Sequence, residues 1–285
     1  MCLLKSATEN IETTEPPVAL TIAGLDPSGG AGIIADLKTF TAFNCYATAA
    51  VTSLTFQNTQ GVYGAAHQTG ESVRAQVLPV IEDFQVACAK TGMLPTREVI
   101  EEVARLFSET ALPAPVVDPV VRSTSGYDLI DDDALASLIK NLLPLARVVT
   151  PNIMEAERIA GSKIKDEEGM RRAASMMREM GARAVLVKGG HLKNQGSSVE
   201  SSAIDVLDDE GRVTVFRGEW IETASTHGTG CTLAAAIAAC LGWGVTLEEA
   251  VGTAKRFVAD AIRQAPHLGH GHGPVNHNVK PRFEA

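Results

Sequence analysis

The sequence has no stretch approaching 18 uncharged apolar residues, and so no recognisable membrane span. Its longest candidate, residues 234–241, is rich in alanine and stops at Gly242. Positive charge is also in short supply, with 25 Lys and Arg against 34 Asp and Glu and a formal net charge of −9. General binding to nucleic acid or to an anionic membrane needs a basic field, so both are excluded; an anionic small molecule in a local positive pocket is not. Five cysteines (Cys2, Cys45, Cys88, Cys231, Cys240) lie far apart with no C-x-x-C among them. An odd number, with only Cys2-Leu3-Leu4 ahead of Lys5 as an apolar start, reads as reduced thiols in a cytoplasmic protein. There is no Gly-x-x-x-x-Gly-Lys-Ser/Thr loop, and Gly29-Gly30-Ala31-Gly32 does not make a dinucleotide fingerprint.

What remains is a globular composition: 45% hydrophobic and 21% charged residues, too aliphatic for a disordered chain. Residues 1–16 are polar, run into Pro16-Pro17 and read as a flexible extension. Residues 17–285 contain no linker-like stretch and read as one domain. Short apolar runs suited to buried strands occur at 18–23, 47–54, 86–89, 115–117, 147–149 and 184–187. Helical spacing alternates with them: Ile33, Leu37 and Phe40 first, then residues 71–82, 97–107, 131–142 and 167–180. Less regular strands at 203–207 and 212–216 flank Asp208-Asp209-Glu210-Gly211, a hairpin turn. Helices over 232–241 and 247–264 close the chain. Alternation of this kind predicts an α/β fold, a largely parallel sheet covered by helices on both faces with an antiparallel edge.

In such sheets ligands bind beyond the carboxyl ends of the strands. The loops expected there, at 24–30, 57–59, 90–93, 118–119, 150–152, 188–191 and 226–231, are rich in Gly, carboxylate, amide and Lys. The sharpest is Thr226-His227-Gly228-Thr229-Gly230-Cys231-Thr232, which runs directly into an apolar helix. Gly228, Thr229 and Gly230 let backbone N–H groups turn inward where the helix dipole favours negative charge. That is the requirement of a phosphoryl group in transfer. Cys231 falls in the first helical turn, where the dipole is expected to lower a thiol pKa, suiting a nucleophile or a general base. The alternative is a small buried hydrophobe, the reading given to Cys45, Cys88 and Cys240.

Taken together, the segments form a resemblance. Residues 20–39, with Gly24-x-Asp26-Pro27-Ser28-Gly29-Gly30-Ala31-Gly32, are joined by Gln57-Asn58-Thr59, Gly92-Met93-Leu94, Val117-Asp118-Pro119-Val120, Thr150-Pro151-Asn152, Lys188-Gly189-Gly190-His191, residues 226–232 and Gly273-Pro274-Val275-Asn276-His277. In that order, over residues 18–277, they resemble the hydroxymethylpyrimidine/phosphomethylpyrimidine kinases of thiamine biosynthesis. The resemblance implies a ribokinase-like three-layer sandwich. It also implies ATP-dependent phosphorylation of 4-amino-5-hydroxymethyl-2-methylpyrimidine and then of its monophosphate, with Mg²⁺, usually in a homodimer.

By the same resemblance Gly24, Asp36, Gln57 and Met93 hold the pyrimidine. Gln57 suits a ring with an amino group because its amide both donates and accepts. Asn152, Glu155 and Lys188 serve ATP and its phosphates, and Asp118 with Glu155 serves Mg²⁺, partly through water, since Mg²⁺ keeps several waters. Cys231, with Gly228, Thr229 and Gly230, forms the catalytic group. Four residues depart from the pattern (Leu25, Ile34, Phe56 and Arg122), and Phe56, beside Gln57, is expected to reshape the ring pocket. Three rival readings stay open: a pyridoxal kinase, a thiol hydrolase pairing Cys231 with His227, and non-catalytic pyrimidine binding. The histidine-rich tail (His267, His270, His272, His277) reads as mobile and not as a metal site.

Overall fold

The computed structural model describes residues 15–122, 126, 128–190 and 202–283. His191 and most of the N-terminal extension lie outside the described residues. The order of elements is β1 (Val18–Leu25), α1 (Gly32–Ala42), β2 (Tyr46–Asn58), β3 (Gly61–His67), α2 (Gly70–Asp83), β4 (Val86–Thr91), α3 (Arg97–Glu109), β5 (Val116–Val117), α4 (Asp132–Ser137), β6 (Val148–Val149), α5 (Ile153–Ala160), α6 (Glu167–Glu179), β7 (Ala184–Lys188), β8 (Ser202–Asp209), β9 (Arg212–Glu219), α7 (Thr229–Gly242) and α8 (Leu247–Arg263). One nine-stranded sheet runs β3-β2-β1-β4-β5-β6-β7-β8-β9. Strands β2, β1, β4, β5, β6 and β7 are parallel, and the outer strands β3, β8 and β9 are antiparallel.

The central strands read as continuous apolar runs because both of their faces are covered. Alternate residues feed two cores. Leu20, Ile22, Val117, Val149, Val185 and Val187 face one, together with residues of α2 to α6. Ala19, Val116, Val148, Ala184 and Leu186 face the other, with Phe40, Phe43, α7 and α8. The predicted three-layer sandwich is therefore present. The predicted β8–β9 hairpin is present too, turning through Glu210 and Gly211, both at positive φ.

Three elements differ from the sequence reading. Strand β2 continues through Gln57 and is followed by β3, an edge strand not anticipated. Its Gly61-Val62-Tyr63-Gly64-Ala65-Ala66 composition is weak in the branched and aromatic residues that mark strands. Helix α5 was likewise unread, being only eight residues long. The helix expected over 131–142 is α4 followed by a π turn at Leu138–Leu142 and a 3₁₀ turn at Leu143–Leu145, ending around Pro144.

Helix α7 is buried on all sides from Thr232 to Cys240, which explains its run of alanines: only small side chains let it lie against β4, β1, β5, α1 and α8 together. Enlarging one of them should overfill this layer. Ala236→Leu, at a position with no exposure, should cost about 1–3 kcal/mol, read as a lower urea midpoint with unchanged slope.

Candidate active site

At the carboxyl end of β1 the chain turns through residues 26–31, and one carboxylate organises the turn. Asp26, 3% exposed, accepts from Ser28 N and Ser28 Oγ at Oδ1 (2.8 and 2.7 Å) and from Gly30 N and Ala31 N at Oδ2 (3.2 and 2.9 Å). The amides of this glycine-rich loop are thus filled by the chain's own carboxylate. The ring of His227, from the loop before α7, reaches the same Oδ2 at 2.7 Å. Burial opposes the charge, but His227, Ser28 and the approaching Gln57 amide outweigh it and hold the Asp26 carboxyl well below its usual range. An ionised carboxylate only accepts, so the proton of that bond sits on His227 Nε2.

Six helices (α2 to α6 and α8) begin on a Thr, Asp or Asn whose side chain accepts an amide of the first turn. Helix α7 begins on Gly228 without one. Gly228 has φ +79°, and a Cβ there would stand 1.8 Å from the Gly30 carbonyl oxygen, so only glycine fits. Thr229 and Thr232 donate backward to Thr226 and Gly228, while the amides of Gly230 and Cys231 have no partner among the described residues. A Cβ on Gly230 would lie 3.1 Å from Lys188 Nζ and 3.8 Å from Asp118 Oδ2. Two open amides, an ammonium and a carboxylate oxygen therefore meet at one helix start, a donor set that suits a nucleotide phosphate with a sparsely liganded Mg²⁺.

Lys188 closes β7 and Asp118 follows β5; they pair at 3.1 Å through Asp118 Oδ1, which Thr150 Oγ1 also approaches at 3.4 Å. Burial works against the Lys188 charge, yet Asp118 and then Glu155 hold it above its ordinary range. Asn152 and Glu155 form a capping box on α5: Asn152 Oδ1 accepts from Glu155 N at 3.0 Å and Glu155 Oε2 from Asn152 N at 2.8 Å. The Asn-x-x-Glu pattern is thus first a helix start, and it was the signal by which α5 could have been found. Burial pushes the Glu155 carboxyl up to about 7, Lys188 opposing and Asp118 adding to it.

On the other side of the cradle, Gly24 and Met93 touch, with a Gly24 Cβ position 3.0 Å from Met93 Sδ. Gln57 is half-buried in β2 just past a register shift at Phe56/Gln57, an irregularity that re-aims a side chain. Asp36 is fully buried: Thr21 Oγ1 and Lys90 Nζ both donate to its Oδ2 (2.7 and 2.8 Å), and its Oδ1 has no partner. It stands beneath the pocket surface rather than on it. Lys90, equally buried, is not singled out by the sequence; against burial, Asp36 and then Asp118 keep its ammonium charged.

Cys231 requires a correction. The thiol was expected to be acidified by the helix dipole; instead burial pushes it up to about 12, with Lys90 opposing and Asp118 and Asp36 reinforcing the rise. Crowding by the surrounding protein raises it more than the dipole lowers it, although Cys231 keeps partial exposure. The hydrolase pairing also fails, because the His227 ring turns to Asp26 and no hydrogen bond joins it to Cys231.

The tail is docked where mobility was expected. Thr59 accepts His270 N and Gly271 N at its hydroxyl and His272 N at its carbonyl. His227 N donates to Gly273 O, and buried His277 lies 3.0 Å from Thr232 Oγ1. Phe56 is 55% exposed with its ring across Gly64, and exposed Arg122 pairs with Asp128, so neither is seen shaping the ring pocket. A separate cavity of about 230 Å³, lined by Ala87, Ala89, Pro113, Arg147 and neighbours, lies at the opposite end of β4 and β5, away from this chemistry.

A parallel-centred sandwich with an open, glycine-started helix at its carboxyl rim, flanked by a lysine and a carboxylate, defines a small-molecule kinase of the ribokinase-like class. The chain belongs to the phosphomethylpyrimidine kinase family, whose model matches residues 26–276. It is 47% identical over 266 residues to the hydroxymethylpyrimidine/phosphomethylpyrimidine kinase of Rhizobium meliloti, covering 91% of this chain and 96% of that one. A thiamine biosynthesis bifunctional protein of Geobacter sulfurreducens is 46% identical over 90% of this chain, which spans 51% of that longer protein. Among solved structures, an ADP complex of Bacillus subtilis pyridoxal kinase is similar with a TM-score of 0.83 and 36% identity, over 92% of this chain and 98% of that one.

A thiol raised to about 12 holds its proton at neutral pH. Iodoacetamide at pH 7.5 should therefore modify Cys231 far more slowly than glutathione, with a rate that climbs steadily to pH 9 and above. Peptide mapping of the alkylated protein checks this, and rapid labelling at pH 7.5 would contradict it.

Proposed function

We propose that the chain phosphorylates 4-amino-5-hydroxymethyl-2-methylpyrimidine at its hydroxyl, and then the resulting monophosphate, as a step of thiamine biosynthesis. The observation that carries this reading is the pair of unpartnered amides at Gly230 and Cys231 beside Lys188, facing a half-buried Gln57 across the Asp26 turn. Bound MgATP supplies the phosphoryl group together with a cation that offsets the charge of its oxygens. The chain's own residues do the rest. Lys188 and the open amides of Gly230 and Cys231 meet phosphate oxygens, Gly228 and Thr229 shaping the turn that presents them, with charge stabilised by donors already fixed in place. Asp118, with Glu155 and Asn152 behind it, would hold Mg²⁺ through water.

Gln57, Met93 and Gly24 would grip the ring, the first by paired hydrogen bonds and the others by close packing, while Asp36 acts from below through Lys90. As the hydroxyl oxygen joins the terminal phosphorus of ATP, the bond from that phosphorus to the ADP oxygen breaks, ADP leaves, and the alcohol proton passes to a transferred phosphate oxygen or to solvent. A thiol that holds its own proton is no standing base, so Cys231 acts by hydrogen bonding and placing the alcohol, and most of the rate comes from position and charge. The protein would work in the cytoplasm; among the described residues no helix is long and apolar enough to cross a membrane. A homodimer is part of the proposal, supported by Leu54, Phe56 and Tyr63 exposed on the β2–β3 hairpin.

The second reading, pyridoxal kinase, is favoured by the structural likeness to such an enzyme. Incubation with hydroxymethylpyrimidine and ATP, resolving mono- and diphosphate, tests the first reading. A higher kcat/KM for the pyrimidine than for pyridoxal is expected; the opposite preference reverses the order, and binding without ADP release indicates a non-catalytic binder. Gln57→Ala should raise KM for the pyrimidine roughly tenfold or more, the loss of about one or two ring hydrogen bonds, and leave KM for ATP unchanged. A selective ATP defect would place Gln57 in the wrong half of the site.

A further inference from the structure

The Asp26–His227 contact joins the two halves of the site. Asp26 belongs to the loop that leaves β1 beside Gly24, and His227 immediately precedes Gly228, where α7 and its open amides begin. The 2.7 Å bond between them is 3% exposed on the carboxylate side and 13% on the imidazole side. Around it the two loops are in direct contact: a Cβ on Gly30 would stand 2.5 Å from His227 Cδ2, and one on Gly228 would overlap the Gly30 carbonyl. The His227 backbone is held as well, since its amide donates to Gly273 O of the tail at 3.2 Å. The carboxylate is saturated by donors from its own loop and cannot drift toward another partner. Gln57 approaches the same carboxylate from β2.

We propose that Asp26 and His227 are a positioning pair for phosphoryl transfer: their bond fixes the distance between the ring-binding side of the site and the phosphate cradle of α7. This rests on the kinase reading above. Neither residue touches the reacting atoms; the pair acts through where it holds Gly228 and Gly30. Breaking it leaves each half able to bind its own ligand while their relative placement slackens.

The test compares wild type with His227→Ala, His227→Gln and Asp26→Asn. It measures kcat with hydroxymethylpyrimidine, Kd of hydroxymethylpyrimidine alone and of ADP alone by calorimetry, and Tm. A displacement near 1 Å can cost about a hundredfold in rate, so His227→Ala should lower kcat by roughly 10- to 100-fold while each Kd stays within about threefold. His227→Gln restores a donor to Asp26 and should recover most of the lost rate. Asp26→Asn, which keeps shape but loses the charge gathering five donors, should lose rate and also melt earlier. The proposal is overturned if kcat is unchanged in His227→Ala, if His227→Gln does no better than alanine, or if both Kd values weaken in parallel with kcat. Absence of turnover in the wild type, with both ligands bound, would instead overturn the kinase reading.

Discussion

A carboxylate removed from water must collect its hydrogen bonds from the chain, and Asp26 collects five. Much of the site's geometry follows from that demand. Four donors come from its own turn and fix the exit from β1. The fifth comes from a residue some two hundred positions away, so the start of α7 is held at the same point. An unpaired charge buried there would cost several kcal/mol, which makes the two loops' relative arrangement part of the fold's stability and not an accident of loop packing.

Beyond this point the charges lie in depth. Lys188 with Asp118 borders the open amides, and Lys90 with Asp36 lies beneath them, so two ammonium groups flank the Cys231 thiol from different layers. Desolvation still prevails at the sulfur, and the sulfhydryl stays protonated. Such a site stabilises negative charge arriving from outside more readily than it generates its own. That is the electrostatic profile of an enzyme that transfers a phosphoryl group by holding it, with little covalent chemistry left for the protein.

The sequence made the sandwich legible because its signal is strong: strands covered on both faces are runs of valine, leucine and alanine, and the helices between them carry a clear apolar stripe. The β8–β9 turn was legible through Glu210-Gly211. The loops at strand ends followed from the general rule for parallel sheets, and the cradle from glycines at a helix start. What stayed hidden depended on three-dimensional pairing. Asp26 looks like one residue of a glycine-rich motif until His227 is seen beside it. Lys90 looks like a strand-end lysine until Asp36 meets it below the surface. The acidified thiol failed as an expectation because helix position can be read along a chain, whereas the crowding and charges around one sulfur cannot. The tail was misread for a related reason: glycine and proline between histidines suggest looseness, but their small size is what lets the segment lie on Thr59, where added Cβ atoms at Gly269 and Gly271 would come within 2.3 and 2.1 Å of its oxygens.

That docked tail carries a consequence for how the chain tolerates change at its end. From Thr59 at the hairpin tip it passes Gly273, against His227, to His277 under α7. It stitches the outermost strand pair to the innermost helix. A fusion partner grafted at Gly273 would unpick the seam between sheet edge and sheet centre.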